Sequence, residues 1–165
     1  MTSASIRTPA EVARAGFDAV ISKDPDGIVA LGAPDWVDDF VAIGVMRGLD
    51  AIRAFFRETF AAFPDFELTV DRIVADETAA VVQWHATGTF TGGPFQGILP
   101  TGRRIELRGV DVMEIADGLI RHNTIYYDGA DLARQIGMLP SQDSRANRAL
   151  ISIFNAKSRL ARWRR

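Results

Sequence analysis

Residues 48–74 read GLDAIRAFFRETFAAFPDFELTVDRIV, and the period of the apolar residues changes inside that stretch. Before Pro64, Ile52, Phe55, Phe56 and Phe60 follow the i, i+3, i+4, i+8 spacing that gives a helix one apolar face, with Gly48 ahead of it and Pro64 as its stop. After Pro64 the period is 2, and Phe66 to Val74, Ala79 to Phe90, Arg104 to Ile115 and Leu119 to Tyr127 are predicted as successive strands. The links Ala75-Asp76-Glu77-Thr78 and Ala116-Asp117-Gly118 are of hairpin length and too short for a helical crossover, so the strands are expected to run antiparallel.

Upstream, Thr8-Pro9-Ala10-Glu11 combines an N-cap threonine, proline at the first helical position and glutamate three residues after the cap. A helix with Ala13, Phe17, Val20 and Ile21 on its apolar face is predicted there. Asp24-Pro25-Asp26 ends it and starts a short second helix through Leu31, followed by a loop containing Trp36, Asp38 and Asp39. Helices first and a meander afterwards define an α+β domain whose helices cover one face of a curved antiparallel sheet. A linker from Pro140 to Ser144 leads to a last helix with Leu150, Ile153, Phe154, Leu160 and Trp163. The expected organisation is one domain over 1–140 and a basic amphipathic helix over 141–165.

A chain of 165 residues with 47% hydrophobic residues can bury one core and is too short for two ordinary domains. Its net charge of −2 gives no reason to expect nucleic acid. The charge is uneven, because seven Lys or Arg and no Asp or Glu fall between Arg145 and Arg165. Such a tail can pack on its own domain or a twin subunit, or contact an acidic neighbour, a membrane surface or nucleic acid. Cysteine is absent, which excludes disulfides, thiol nucleophiles and thiolate metal sites. The two histidines, His85 and His122, lack the close spacing of a metal pair, so no metal site is predicted. No Lys/Arg-led apolar leader and no membrane-length apolar run is visible, and a cytoplasmic location is expected.

Three carboxylates and two histidines stand out. On the strand from Arg104, residues Ile105, Leu107, Gly109, Asp111, Met113 and Ile115 share one face, so Asp111 is a carboxyl group on an apolar surface. It must be hydrogen-bonded or stay protonated, either as a neutral acid that donates to a developing oxyanion or as a carboxylate held for structure by Tyr126 or Trp84. Strict alternation puts Ile120, His122, Thr124, Tyr126 and Asp128 on one face of the next strand. There Asp128 reads as a general base with His122 as its partner, or as the N-cap of the helix carrying Leu132, Ile136 and Leu139, with His122 solvated. His85 shares a polar strand face with Val81, Gln83, Thr87 and Thr89. The glycines at 88, 92, 93 and 97 precede no helix and so do not make a phosphate loop.

The order of elements resembles the NTF2-like superfamily of cone-shaped α+β domains, and within it the SnoaL-like polyketide cyclases. The resemblance spans residues 8–139. It is carried by Gly48-x-x-x-Ile52-x-x-Phe55, Pro64-Asp65-Phe66, Gly88-Thr89-Phe90-Thr91-Gly92, Pro100-Thr101-Gly102-Arg103, Asp117-Gly118-Leu119-Ile120, and Tyr126-Tyr127-Asp128 followed by Leu132-x-x-Gln135-Ile136-Gly137. It implies that Asp128 is the acid/base that removes a proton alpha to a carbonyl, so that the enolate closes a ring by intramolecular aldol attack. Limonene-epoxide-hydrolase-like relatives share the Pro-Thr-Gly-Arg turn but need an Arg-x-Asp where this chain has Gly92-Gly93-Pro94. Ketosteroid-isomerase-like relatives place a base aspartate nine residues before the glycine that opens the third helix, which is the spacing of Asp39 to Gly48. Their oxyanion aspartate matches Asp111, while their oxyanion tyrosine falls near Phe17, which cannot donate.

The resulting expectation is a cofactor-independent enzyme for a hydrophobic carbonyl compound. Trp36, Phe17, Phe55, Trp84, His85, Met113 and Tyr126 would bind it, Asp128 would act as base, His122 would orient that base, and Asp111 or Asp39 would stabilise the enolate. The rival expectation is a non-catalytic ligand-binding or dimerisation module on the same fold. The resemblance also implies a homodimer that covers the outer face of the sheet.

Overall fold

The computed structural model describes residues 7–163. Helix α1 (Pro9–Ile21) starts at the predicted capping box, in which Glu11 N–H donates to Thr8 Oγ1 and the Glu11 carboxylate accepts from Thr8 N–H. After α2 (Pro25–Val29) come β1 (Gly32–Phe40), β2 (Gly44–Arg47), α3 (Leu49–Ala62), and the long strands β3 (Glu67–Ala75), β4 (Ala79–Thr89), β5 (Arg104–Ala116) and β6 (Leu119–Tyr127). Helices α4 (Gly129–Gln135) and α5 (Arg145–Trp163) follow. The sheet order is β2-β1-β6-β5-β4-β3.

The switch from helix to sheet at Pro64 and the strand limits after it agree with the sequence reading to within a residue or so. Two features do not. The segment containing Trp36, Asp38 and Asp39 is a strand rather than a loop, and it pairs in parallel with β6, so the sheet is antiparallel at every junction except that one. The parallel pair is possible because α3 and the whole β3–β5 meander lie between its strands in sequence, far more chain than a hairpin link provides. The pairing is irregular between Gly32 and Val37, which lets Trp36 turn inward before regular alternation places Asp38 and Phe40 on the same side.

Helices α1 and α3 lie over the concave side of the sheet, α1 against β3, β4 and β5, and α3 against β1. Val12 and Phe17 from α1, Ile52 and Phe55 from α3, and Val82, Ile120 and Ile125 from the sheet form the buried core. Removing about 25 cal/mol per Å2 of apolar surface from water is what holds such layers together, and a fully buried Ile52 contributes about 2 kcal/mol on that scale. Aromatic contacts run from Phe40 to Phe55, at 4.4 Å between ring centroids, through Phe56 and Phe60 to Phe66. Helix α5 leaves this body: every side chain from Arg148 to Arg159 is exposed. The side chains of Leu160 and Trp163, expected on its apolar face, lie outside the described residues. Among the described residues no helix is long and apolar enough to cross a membrane.

Candidate active site

The helices and the concave sheet face enclose a cavity of about 130 Å3. Its walls are apolar, with Phe17 from α1, Phe55 from α3, and Phe40, Met113, Ile125 and Trp84 from the sheet. Two glycines make room for the two indoles that line it. A Cβ on Gly32 would stand 2.0 Å from Trp36 Cε3, and one on Gly109 would stand 2.2 Å from Trp84 Cζ2, so neither position admits a side chain while the tryptophan stays where it is.

Across the floor of this apolar space runs one row of polar side chains from four adjacent strands. Asp38 on β1 is in register with Asn123 on β6, and Asn123 Nδ2 donates to Asp111 Oδ2 on β5 at 2.8 Å. Trp84 Nε1, from β4, donates to Asp111 Oδ1 at 2.7 Å. Among the described residues, Asp38, Asp111 and Asn123 are the buried polar side chains of the core. Burial, opposed by the Asn123 and Trp84 donors, sets the Asp111 carboxyl at about 6. Burial, reinforced by the charge of Asp111 and opposed by hydrogen bonding with Asn123 and Trp36, pushes Asp38 to about 8. Both shifts run toward the neutral acid, so the two carboxyl groups titrate as one coupled pair in which burial and mutual repulsion favour keeping a proton. Tyr127, in the same cavity, is pushed up to about 12 by burial and stays a phenol.

A family model for the SnoaL-like polyketide cyclases matches residues 10–136. This chain belongs to the SnoaL-like polyketide cyclase family. Solved structures agree with the NTF2-like architecture. A proposed SnoaL-like polyketide cyclase from Jannaschia sp. superposes with a TM-score of 0.72 at 24% identity, covering 85% of this chain and 99% of its own. IdmH, a proposed polyketide cyclase from Streptomyces antibioticus, gives 0.66 at 27% identity, covering 79% of this chain and 99% of its own. A protein from Catenulispora acidiphila with a ketosteroid-isomerase-like fold, solved with trimethylamine, gives 0.66 at 20% identity, with 84% and 99% covered. No curated protein matches the sequence.

Within this SnoaL-like cone, Trp36, Phe17, Phe55, Trp84, Met113 and Asp111 line the cavity as the sequence predicted. Tyr126, His122, Asp128, His85 and Asp39 do not, which corrects the expectation that they face it. The cause on β6 is a bulge. Ile115 pairs with Ile120 but Glu114 pairs with His122, so Arg121 is an extra residue and the inward parity shifts by one. Asn123, Ile125 and Tyr127 point inward instead, and Tyr126 is 50% exposed on the outer face. Asp128 is exposed and caps α4, accepting from Asp131 N–H at 2.9 Å. It borders an open groove with Arg104, Arg108, Asp131 and Gln135, outside the cone. His85 Nδ1 lies 2.8 Å from Asp71 Oδ1 on the outer face. Asp39 faces opposite to Asp38 on β1, beside Val45 and Thr124.

Asp38, Asn123 and Tyr127 also line the cavity, although the sequence pattern does not single them out. For Asp38 the signal was present, since Trp36, Asp38 and Phe40 alternate at period 2. That run is short and lies next to Pro34 and Asp35, which read as loop. For Asn123 and Tyr127 there was no signal, because a bulge that shifts parity leaves no trace in the residues around it.

Proposed function

We propose that this protein is a cofactor-independent cyclase or isomerase that binds a hydrophobic carbonyl compound in the cone and removes a proton from the carbon alpha to the carbonyl. The observation that supports this best is the pair of buried carboxyl groups, Asp38 and Asp111, in one apolar cavity, with Trp84 and Asn123 donating to Asp111. Ionised Asp111 is the base. Its two donors, Trp84 and Asn123, fix its position and keep it charged where burial alone would neutralise it. Neutral Asp38 donates to the carbonyl oxygen as negative charge develops there, which is the preorganised stabilisation that commonly contributes most to rate. The enolate then attacks a second carbonyl of the same molecule and closes a ring, or takes the proton back at another carbon. In this reading Asp128, His122 and Asp39 take no part in proton transfer.

The test is hydrogen–deuterium exchange at the alpha carbon of a panel of cyclic ketones in D2O, followed by NMR. Wild type is expected to exceed the uncatalysed rate, and Asp111→Asn, which keeps the shape and removes the base, is expected to lose that excess by about 100-fold or more. Equal exchange in the two proteins would remove the base assignment and favour a non-catalytic ligand-binding module on the same fold. A homodimer belongs to the same proposal. It is supported by the outer sheet face, where Val74, Val81 and Tyr126 are exposed, and by the pairing of Val74 with Val81 and of Val81 with Val112 across neighbouring strands. Sedimentation at micromolar concentration tests it. A cytoplasmic location is likewise proposed, and cell fractionation tests it.

A further inference from the structure

Helix α5 takes no part in the cone, yet its residues are sorted between two faces. At about 3.6 residues per turn, Ala146, Leu150, Ile153 and Phe154 fall on one half of the helix, and Arg145, Arg148, Arg159 and Arg162 fall on the other. Lys157 is the single basic residue within the apolar half. No acidic residue occurs between Arg145 and Arg165, although seven Lys or Arg do. Leu150, Ile153 and Phe154 are 51%, 56% and 68% exposed, so the body of the protein leaves the apolar half uncovered. An apolar stripe held in water marks a surface that something else covers.

Both halves restrict what that cover is. A nucleic acid would pair with the arginines and leave Leu150, Ile153 and Phe154 in water. A groove on another protein would take the apolar half and leave the opposite half facing solvent, where nothing requires it to be free of acidic residues. Two copies of α5 laid against each other would bring like charges together. The surface of a bilayer rich in anionic lipid meets both halves at once. There the apolar residues enter the boundary between headgroups and acyl chains, and the guanidinium groups stand among phosphates, whose geometry they match. Lys157 fits such a surface, because its long stem lies among apolar groups while its ammonium reaches up to the headgroups. The rest of the chain is acidic, since the whole carries a net charge of −2 despite this basic tail. Its repulsion from the same surface is screened beyond about 8 Å at physiological salt, and the side chains of α5 from Arg148 to Arg159 are free of it.

We propose that α5 is an interfacial anchor that holds the protein against an anionic membrane surface, lying in the plane of the interface. None of the described helices is long and apolar enough to cross the bilayer. The attachment is reversible, because one amphipathic helix with a lysine in its apolar half buries little area. Its consequence for the cone is concentration: an apolar ligand partitions into the same bilayer, and an anchored protein meets it there. The anchor is independent of the proton chemistry assigned to Asp111.

The test is co-sedimentation of the full-length protein with phosphatidylcholine vesicles, either pure or with about one quarter phosphatidylglycerol. Binding should be about 10-fold or more tighter with phosphatidylglycerol, and should weaken as salt rises from about 0.1 M to 0.5 M. Substitutions at exposed positions of α5 leave the folded body alone. Phe154→Ser should weaken binding by about 10-fold or more through lost apolar burial. Arg148→Gln combined with Arg159→Gln should weaken it by a similar factor through lost charge. Lys157→Leu separates the partners: at the higher salt it should bind the mixed vesicles more tightly than wild type, whereas an acidic protein or a nucleic acid would lose a contact. Equal binding to both kinds of vesicle, no binding to either, or weaker binding by Lys157→Leu at the higher salt would overturn the inference. Absent vesicle binding together with a smaller sedimenting mass for Phe154→Ser than for wild type would assign the helix to a second copy of the chain instead.

Discussion

Two carboxylates in this protein have opposite situations, and their environments decide what each can do. Asp128 is exposed and bonds a backbone N–H at the start of α4, the ordinary work of an N-cap. Asp128→Ala should therefore lower stability by about 1 kcal/mol in urea unfolding and leave alpha-proton exchange unchanged. Asp111 is buried between two donors and has no such substitute. With Asp111 near 6 and Asp38 near 8, turnover should rise with pH through the first value and fall through the second. Asp38→Asn retains a neutral donor, so it should keep measurable exchange while erasing the alkaline limb. A pH–rate profile of the variant that still falls near pH 8 would reassign that limb.

At the scale of elements, the site depends on strands being held in one register. The row Asp38, Asn123, Asp111 and Trp84 exists only because β1, β6, β5 and β4 are adjacent, and because the β6 bulge turns Asn123 inward. Gly109 on β5 keeps that row intact by leaving space for the Trp84 ring. Gly109→Ala should displace the indole, break its bond to Asp111, and cost about 1–3 kcal/mol of stability through overpacking. Turnover should fall along with it. Trp84→Phe removes the same donor without the steric push, so a similar loss of turnover with a smaller loss of stability would locate the effect in the hydrogen bond. Urea unfolding and exchange kinetics on the two variants make the comparison.

For the whole molecule, the buried pair links stability to pH. Unfolded Asp38 releases its proton near 3.8, whereas the folded protein retains it to about 8. Across that interval the unfolded state binds fewer protons, so the contribution of Asp38 to stability is greatest below pH 4 and is lost as pH rises toward 8. Asp38→Asn removes the dependence. The melting temperature of the variant relative to wild type should therefore be higher at pH 8 than at pH 5, as scanning calorimetry at the two values would show. The tail gives a second prediction. Because the side chains of α5 from Arg148 to Arg159 are exposed, a chain ending at Ser144 should keep the melting temperature of the full protein to within about 2 °C. A larger fall would show that the helix stabilises the body or a partner copy, and would redraw the boundary proposed at residue 140.

The sequence alone determined the α+β class, the switch at Pro64, the limits of β3 to β6, the capping box on α1 and the inward placing of Asp111. These depend on local periodicity and caps, which a short window contains. It also determined most of the apolar wall, because large residues at core-facing positions have few other places to go. Tertiary structure decided the rest. The parallel pairing of β1 with β6 joins segments about 85 residues apart, and no local pattern records it. The bulge at Arg121 reversed which residues of β6 face the cone, exchanging Tyr126 and His122 for Tyr127 and Asn123. A period of 2 specifies that faces alternate, but which face is buried after an extra residue is set by the partner strand. Asp38 became a candidate acid for the same reason: its charge state follows from burial and from the nearness of Asp111, and both arise only when β1, β6 and β5 lie side by side.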